Sequence, residues 1–152
     1  MEITEITHDK KSFLDLLLMG DEQESMIDRY LECGKMFALS EEGSVRAVCV
    51  MTDEGDRVLE IKNIAVAPGY RRMGYGKALI SFIERKYGGS FGILRVGTGD
   101  SPLTVPFYEK CGFHISYRIK DFFTDNYDHP IYECGTVLRD MVYLEKSLDT
   151  KA

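Results

Sequence analysis

An α/β fold, a mixed sheet with helices on both faces, is predicted by three observations. A strand and a helix pair open the chain, three strands follow with short glycine-bearing turns between them, and the second half alternates strand, helix, strand, helix, strand. No repeat or long linker interrupts that order. At 152 residues the chain is expected to form one domain spanning 1–152, large enough to bury a core.

Each element has its own signal. Glu2 to Ile6 alternates polar and apolar residues as a half-buried strand does. Phe13, Leu14, Leu17 and Leu18 recur at helical spacing, and after Gly20 the segment Asp21 to Leu31 puts Met26, Ile27, Tyr30 and Leu31 on one helical face. Met36 to Leu39 and Val45 to Met51 are rich in strand formers and flank "SEEGS"; "TDEGD" then leads into Arg57 to Val66, the longest strand candidate. From Gly74 to Tyr87 an apolar stripe of Tyr75, Leu79, Ile80, Ile83 and Tyr87 opposes Lys77, Ser81, Glu84, Arg85 and Lys86, and Gly88-Gly89 stops the helix. Phe91 to Val96 reads as a strand, Thr104 to Cys111 as a short helix, and Phe113 to Lys120 and Val137 to Glu145 as the closing strands.

The composition narrows the function. A formal net charge of -6, with Asp and Glu spread along the chain, argues against a broad nucleic-acid face and suits a cationic small substrate. The amino end carries acidic residues where a signal peptide needs positive charge, and the apolar run Leu14 to Met19 is too short to span a bilayer, so a cytoplasmic protein without membrane contact is expected. Cys33, Cys49, Cys111 and Cys134 are widely spaced, with no CxxC pair and no histidine ladder; free, mostly buried thiols and no metal site are expected.

The turn in "NIAVAPGYRRMGYGKALISF" carries the chemistry. Gly74 and Gly76 strip side chains from the point where a strand becomes a helix, so backbone N–H groups and the positive end of the helix dipole face outward, with Arg71, Arg72 and Lys77 around them. Phosphate is the natural guest. A P-loop is ruled out because Arg71 stands where its first glycine belongs and Ala78 follows the lysine; a dinucleotide fingerprint is ruled out because Leu79 takes the third small position.

The pattern satisfied by Arg71, Gly74 and Gly76, with "FYEKCGF" at Phe107 to Phe113 downstream, resembles the GCN5-related N-acetyltransferase superfamily. The resemblance implies a central mixed, mostly antiparallel sheet of about seven strands with about four helices, and direct acetyl transfer from acetyl-CoA to a primary amine of a small molecule or protein. It further implies that Ile64, Ala65 and Val66 bond the pantetheine arm and that Arg71, Arg72, Met73, Gly74, Tyr75, Gly76 and Lys77 hold the pyrophosphate, chiefly through the backbone. Asp100 or Ser101 falls where the family often has an asparagine on the CoA arm, though either could instead cap the following turn.

For the reaction itself, Tyr108 matches the family tyrosine that reaches the CoA sulfur, and Glu60 matches a glutamate that some members use as base where others use water. In an ideal strand Glu60 shares a face with Lys62, Ile64 and Val66; a bulge would change that. The acceptor is expected between the first helix pair and "DFFTDNYDHPIYECG", where Phe122, Phe123, Tyr127 and Tyr132 offer aromatic faces for an amine, or equally a contact in a homodimer. The rival is a regulatory domain that binds CoA without turnover.

Overall fold

The alternating segment at the amino end forms β1 (Glu2–Ile6), which pairs antiparallel with β2 (Lys35–Glu41). The structure is a computed structural model that describes residues 1–133 and 135–149; Cys134 lies outside them. Between these strands run a 3-10 turn (Lys10–Phe13), α1 (Leu14–Gly20) and α2 (Glu24–Ile27). β3 (Ser44–Asp53) and β4 (Val58–Val66) complete the meander, and α3 (Tyr75–Tyr87) crosses to β5 (Ile93–Gly99), which lies parallel to β4. Next come α4 (Val105–Lys110), β6 (His114–Ile119), α5 (Phe122–Asn126), a two-stranded ribbon of β7 (Tyr132–Glu133) and β8 (Thr136–Val137), and β9 (Met141–Ser147). β9 inserts between β5 and β6, giving a seven-stranded mixed sheet in the order β1-β2-β3-β4-β5-β9-β6.

Both faces of the sheet are covered, which is why Ala47 to Met51 at its centre is a continuous apolar run rather than an alternating one. On one face Leu79, Ile80 and Ile83 of α3 pack with Phe37, Leu39, Cys49 and Met51. On the other, Leu17 of α1 and Ile27 and Leu31 pack with Met36, Ala38, Val48 and Val50. Full burial of each such side chain stabilises by about 1.5–3 kcal/mol.

Three boundaries differ from the sequence reading. The helix expected over Asp21 to Leu31 is only Glu24–Ile27, followed by hydrogen-bonded turns to Gly34. The buried Lys10 ammonium donates to the carbonyls of Leu31 and Gly34 at 2.8 Å each, drawing this segment into turns instead of a continued helix. The last strand begins at Met141 rather than Val137, because Leu138 packs with Phe123 and Ile131 and the Arg139 carbonyl accepts the Phe123 N–H at 2.9 Å. The connection between β6 and β9 holds α5 and the ribbon. Of the thiols, Cys49 is buried and its pKa pushed up to about 12 by desolvation, whereas Cys33 is exposed.

Candidate active site

A bulge in β4 creates the cleft. Val50 pairs with Asn63, but the next residue, Met51, pairs with Ile61, so Lys62 is an extra residue on the β4 side. Before the bulge Leu59 and Ile61 face the α3 core; after it Ile64 and Val66 do. The ideal alternation expected from sequence thus inverts, and Glu60 lies on the sheet face opposite Ile64. The parallel ladder with β5 also ends here, its last pair being Ile61 with Val96, although β4 continues to Val66 and β5 to Gly99. From Lys62 onward no strand among the described residues pairs with the β5-facing edge of β4.

A cavity of about 270 Å³ opens in this gap. Its walls include Lys62, Asn63 and Ile64 of β4, Tyr108 of α4, and, from the opposite side, Asp21 and Tyr127. Gly20 fixes the corner where α1 meets β4: a Cβ there would lie 2.2 Å from Asn63 Oδ1. Asn63 Nδ2 donates to the Leu17 carbonyl at 2.9 Å and to Tyr30 Oη at 3.1 Å. Gly20→Ala is expected to push Asn63 off these partners and destabilise the fold by about 1–3 kcal/mol in urea unfolding; an unchanged midpoint would show that the corner relaxes freely.

The glycine turn runs out of β4 with the Ala67 N–H donating to the Arg46 carbonyl at 2.8 Å. Gly74 is left-handed (φ 87°) and a Cβ on it would meet no atom, so the backbone here is approachable from solvent. No side chain among the described residues caps the start of α3, and its first turn holds no carboxylate. Arg71, Arg72, Met73 and Lys77 are exposed around it. Tyr75 points inward: its hydroxyl bonds to Glu41 and accepts from Arg46 Nη1 at 3.1 Å, leaving only its N–H on the cradle. Arg46, which carries no local signal in the sequence, braces the turn from beneath, its guanidinium 3.9 Å from the Tyr70 ring centre. Unpaired N–H groups, the helix dipole and three surrounding cations fit a pyrophosphate.

Tyr108 is 7% exposed, packed edge-on to Phe107 and Phe113, and its hydroxyl has no hydrogen-bond partner among the described residues. Burial holds its pKa well above the ordinary phenol value, so it carries its proton at neutral pH. Glu60 is in the opposite situation. At 3% exposure, its Oε1 accepts from Arg95 at 2.7 Å and its Oε2 lies 2.7 Å from the Lys62 ammonium, so both oxygens are held by cations. Asp100 pairs with Arg118 at 2.6 Å, and the Ser101 hydroxyl accepts the Leu103 N–H at 3.1 Å; neither lines the cavity, and Ser101 takes the turn-capping role.

The aromatic segment folds over the cavity. Phe123, Tyr127 and Tyr132 line it, Phe123 and Tyr127 being stacked at 5.5 Å, and Phe122 lines an adjoining hollow of about 370 Å³. The segment is tied to the α1–α2 corner by Tyr127, which donates to Asp21 Oδ1 at 2.6 Å, and by the Asp128 N–H, which donates to Gln23 Oε1 at 3.0 Å. In the sequence Asp21 is only the start of a helical segment and Lys62 only a strand neighbour of Glu60; nothing short of the bulge and the fold reveals that they and Asn63 share the cavity with Tyr108.

Comparison with known proteins agrees with this geometry. Residues 32–115 match the acetyltransferase (GNAT) domain family. The chain is 35% identical over 146 residues to YvbK of Bacillus subtilis, an uncharacterized N-acetyltransferase, covering 95% of this chain and 93% of that one. Among solved structures, a GNAT family acetyltransferase from Elizabethkingia anophelis with acetyl-CoA bound superposes with a TM-score of 0.91 at 32% identity, covering 96% of this chain and 97% of that one. An IAA acetyltransferase from Bacillus cereus gives a TM-score of 0.86 at 34% identity, covering 96% and 99%. With these matches running through the splayed strands, the uncapped helix start and the Tyr108 segment, the chain belongs to the GNAT family of acetyltransferases.

Proposed function

We propose that this protein transfers the acetyl group of acetyl-CoA directly to a primary amine of a small molecule or protein, in the gap between β4 and β5. The observation that carries the reading is the succession of three features: the edge of β4 from Lys62 to Val66 that no described strand pairs with, the uncapped start of α3 that follows it in the chain, and the Tyr108 side chain on the wall of the cavity where β4 and β5 part. The donor supplies an activated thioester carbonyl. The free edge at Ile64, Ala65 and Val66 offers main-chain hydrogen bonds to an extended amide-bearing arm, in the manner of an added strand. The N–H groups between Arg71 and Lys77 hold the pyrophosphate, and the exposed cations add mobile charge.

Tyr108 keeps its proton and donates a hydrogen bond at the position where negative charge develops on the departing sulfur. A protonated buried phenol suits that task better than a charged one would, because it costs no desolvated ion before the reaction. Glu60, held by Arg95 and Lys62, serves in this reading to anchor the bulge, and the amine's proton passes to solvent. The free thiols at Cys33, Cys49 and Cys111 support a cytoplasmic setting. The exposed Ile115, Tyr117 and Ile119 on the edge strand β6 support pairing of two copies.

Acetyl-CoA at about one hundred times its dissociation constant is expected to stabilise the protein by roughly 2.7 kcal/mol, raising the melting temperature by about 5–10 °C. Thermal unfolding with and without the ligand, followed by CoA-release assays over an amine panel, tests the reading. No shift at saturation removes the donor site; a shift without release to any amine leaves a CoA-binding regulator.

A further inference from the structure

Asp21 differs from the other carboxylates around the cleft. It ends α1 in an extended backbone conformation (φ -154°, ψ 108°) and lines both the 270 Å³ cavity and the adjoining 370 Å³ hollow. Its two oxygens are held by neutral donors: Tyr127 Oη at 2.6 Å on Oδ1 and Tyr30 Oη at 2.9 Å on Oδ2. Tyr30 is fixed in turn by Asn63 Nδ2 at 3.1 Å, and the same amide is pinned to the Leu17 carbonyl. The carboxylate is therefore locked in place by two phenols from different elements. Yet no Lys, Arg or His among the described residues forms an ion pair with it, in contrast to Glu60 with its two cations.

A half-buried anion with neutral partners lacks a counter-charge, and burial pushes its pKa up for that reason. Arg29 in the adjoining hollow provides only a long-range attraction, and Lys62, which lines both spaces, is held by Glu60 at 2.7 Å, while Glu22 and Glu133 on the cavity wall and Glu54 in the hollow add negative potential. The two hydroxyl protons and the Gln23 N–H still leave acceptor capacity on the carboxylate oxygens. Beside it lie the stacked rings of Phe123 and Tyr127, whose faces favour a cation. The same cavity is bounded by the Tyr108 side chain, so a group seated at Asp21 shares its space with the acetyl-transfer position.

We propose that Asp21, clamped by Tyr30 and Tyr127, is the seat of the acceptor's protonated primary amine and selects primary ammonium compounds over neutral ones of the same shape. The proposal rests on the amine-acceptor reading of the cleft. An ammonium donates up to three hydrogen bonds and supplies the missing charge, whereas an alcohol supplies one donor and no charge.

The test is an NMR titration of the full chain, with CoA present and absent, using n-butylammonium and its neutral counterpart 1-butanol. Saturable shifts at Asp21, Tyr30 and Tyr127 are expected for n-butylammonium and not for 1-butanol. Asp21→Asn is expected to weaken n-butylammonium binding at least about tenfold, while Asp15→Asn, on the exposed side of α1, leaves it unchanged. Absence of saturable shifts at these residues, equal response to the alcohol, or unchanged affinity in Asp21→Asn overturns the proposal. Should Asp21→Asn fail to fold, the ammonium-against-alcohol comparison on the unaltered protein still decides it. If acetyl-CoA fails to bind while the ammonium arm succeeds, the transfer reading falls and the cation seat stands.

Discussion

Tyr108→Phe is expected to lower kcat about a hundredfold while changing acetyl-CoA affinity by no more than about twofold. The substitution removes one oxygen from a ring that is otherwise packed between Phe107 and Phe113, so the aromatic contacts and the shape of α4 survive. Because no described residue shares a hydrogen bond with that hydroxyl, its removal leaves no new buried donor or acceptor behind, and folding stability should hold within about 1 kcal/mol. In the proposed mechanism what is lost is a donor to charge that exists only as the carbon–sulfur bond breaks, an effect of about 2.7 kcal/mol on the barrier and little on the ground state. Steady-state kinetics with a separate equilibrium measurement of acetyl-CoA binding tests this. Equal losses in binding and turnover would assign Tyr108 to cofactor binding, and unchanged turnover would remove it from the chemistry.

Glu60→Ala should act mainly on stability, by about 2–4 kcal/mol. Removing one member of a buried ion cluster leaves the others uncompensated, which typically costs about 3–5 kcal/mol; partial exposure of Arg95 and Lys62, at 19% and 26%, lowers that figure. The loss should appear as a lower urea midpoint with turnover per folded molecule kept within a few fold. Replacing Arg95 by Met in a Glu60→Met background should recover part of the loss, because the buried charge and its partner then leave together. A stable Glu60→Gln variant with turnover reduced a hundredfold or more would restore the glutamate as the base.

These two residues show unequal legibility. Tyr108 could be placed from sequence because a short helix fixes its register: Phe107, Tyr108 and Phe113 sit at spacings that one helical turn and one strand start must satisfy, and Phe113 is in the core. Glu60 could not, because its facing depends on a single inserted residue. Strand alternation has a period of two, so one bulged position at Lys62 exchanges the faces of everything beyond it. The glycine turn was readable for the same reason as Tyr108: the left-handed backbone at Gly74 and the bare helix start are local requirements. Its tyrosine was not, since the inward turn of Tyr75 depends on Glu41 and Arg46, which lie far from it in the chain.

The order of strands and helices, the bare glycine turn and the acetyltransferase family follow from patterns a few residues long, where propensity, periodicity and backbone freedom leave little choice. The acceptor side of the cleft is settled by contacts between distant segments. Asp21 meets Tyr127 across more than one hundred residues of chain, and it is the hydrogen bonding of Tyr127 and Asp128 to the α1–α2 corner that turns an ordinary acidic residue into a clamped carboxylate. Long-range pairings of that kind leave no local periodicity to read, because each partner has the residue type and spacing of a common surface position until the fold brings the two together.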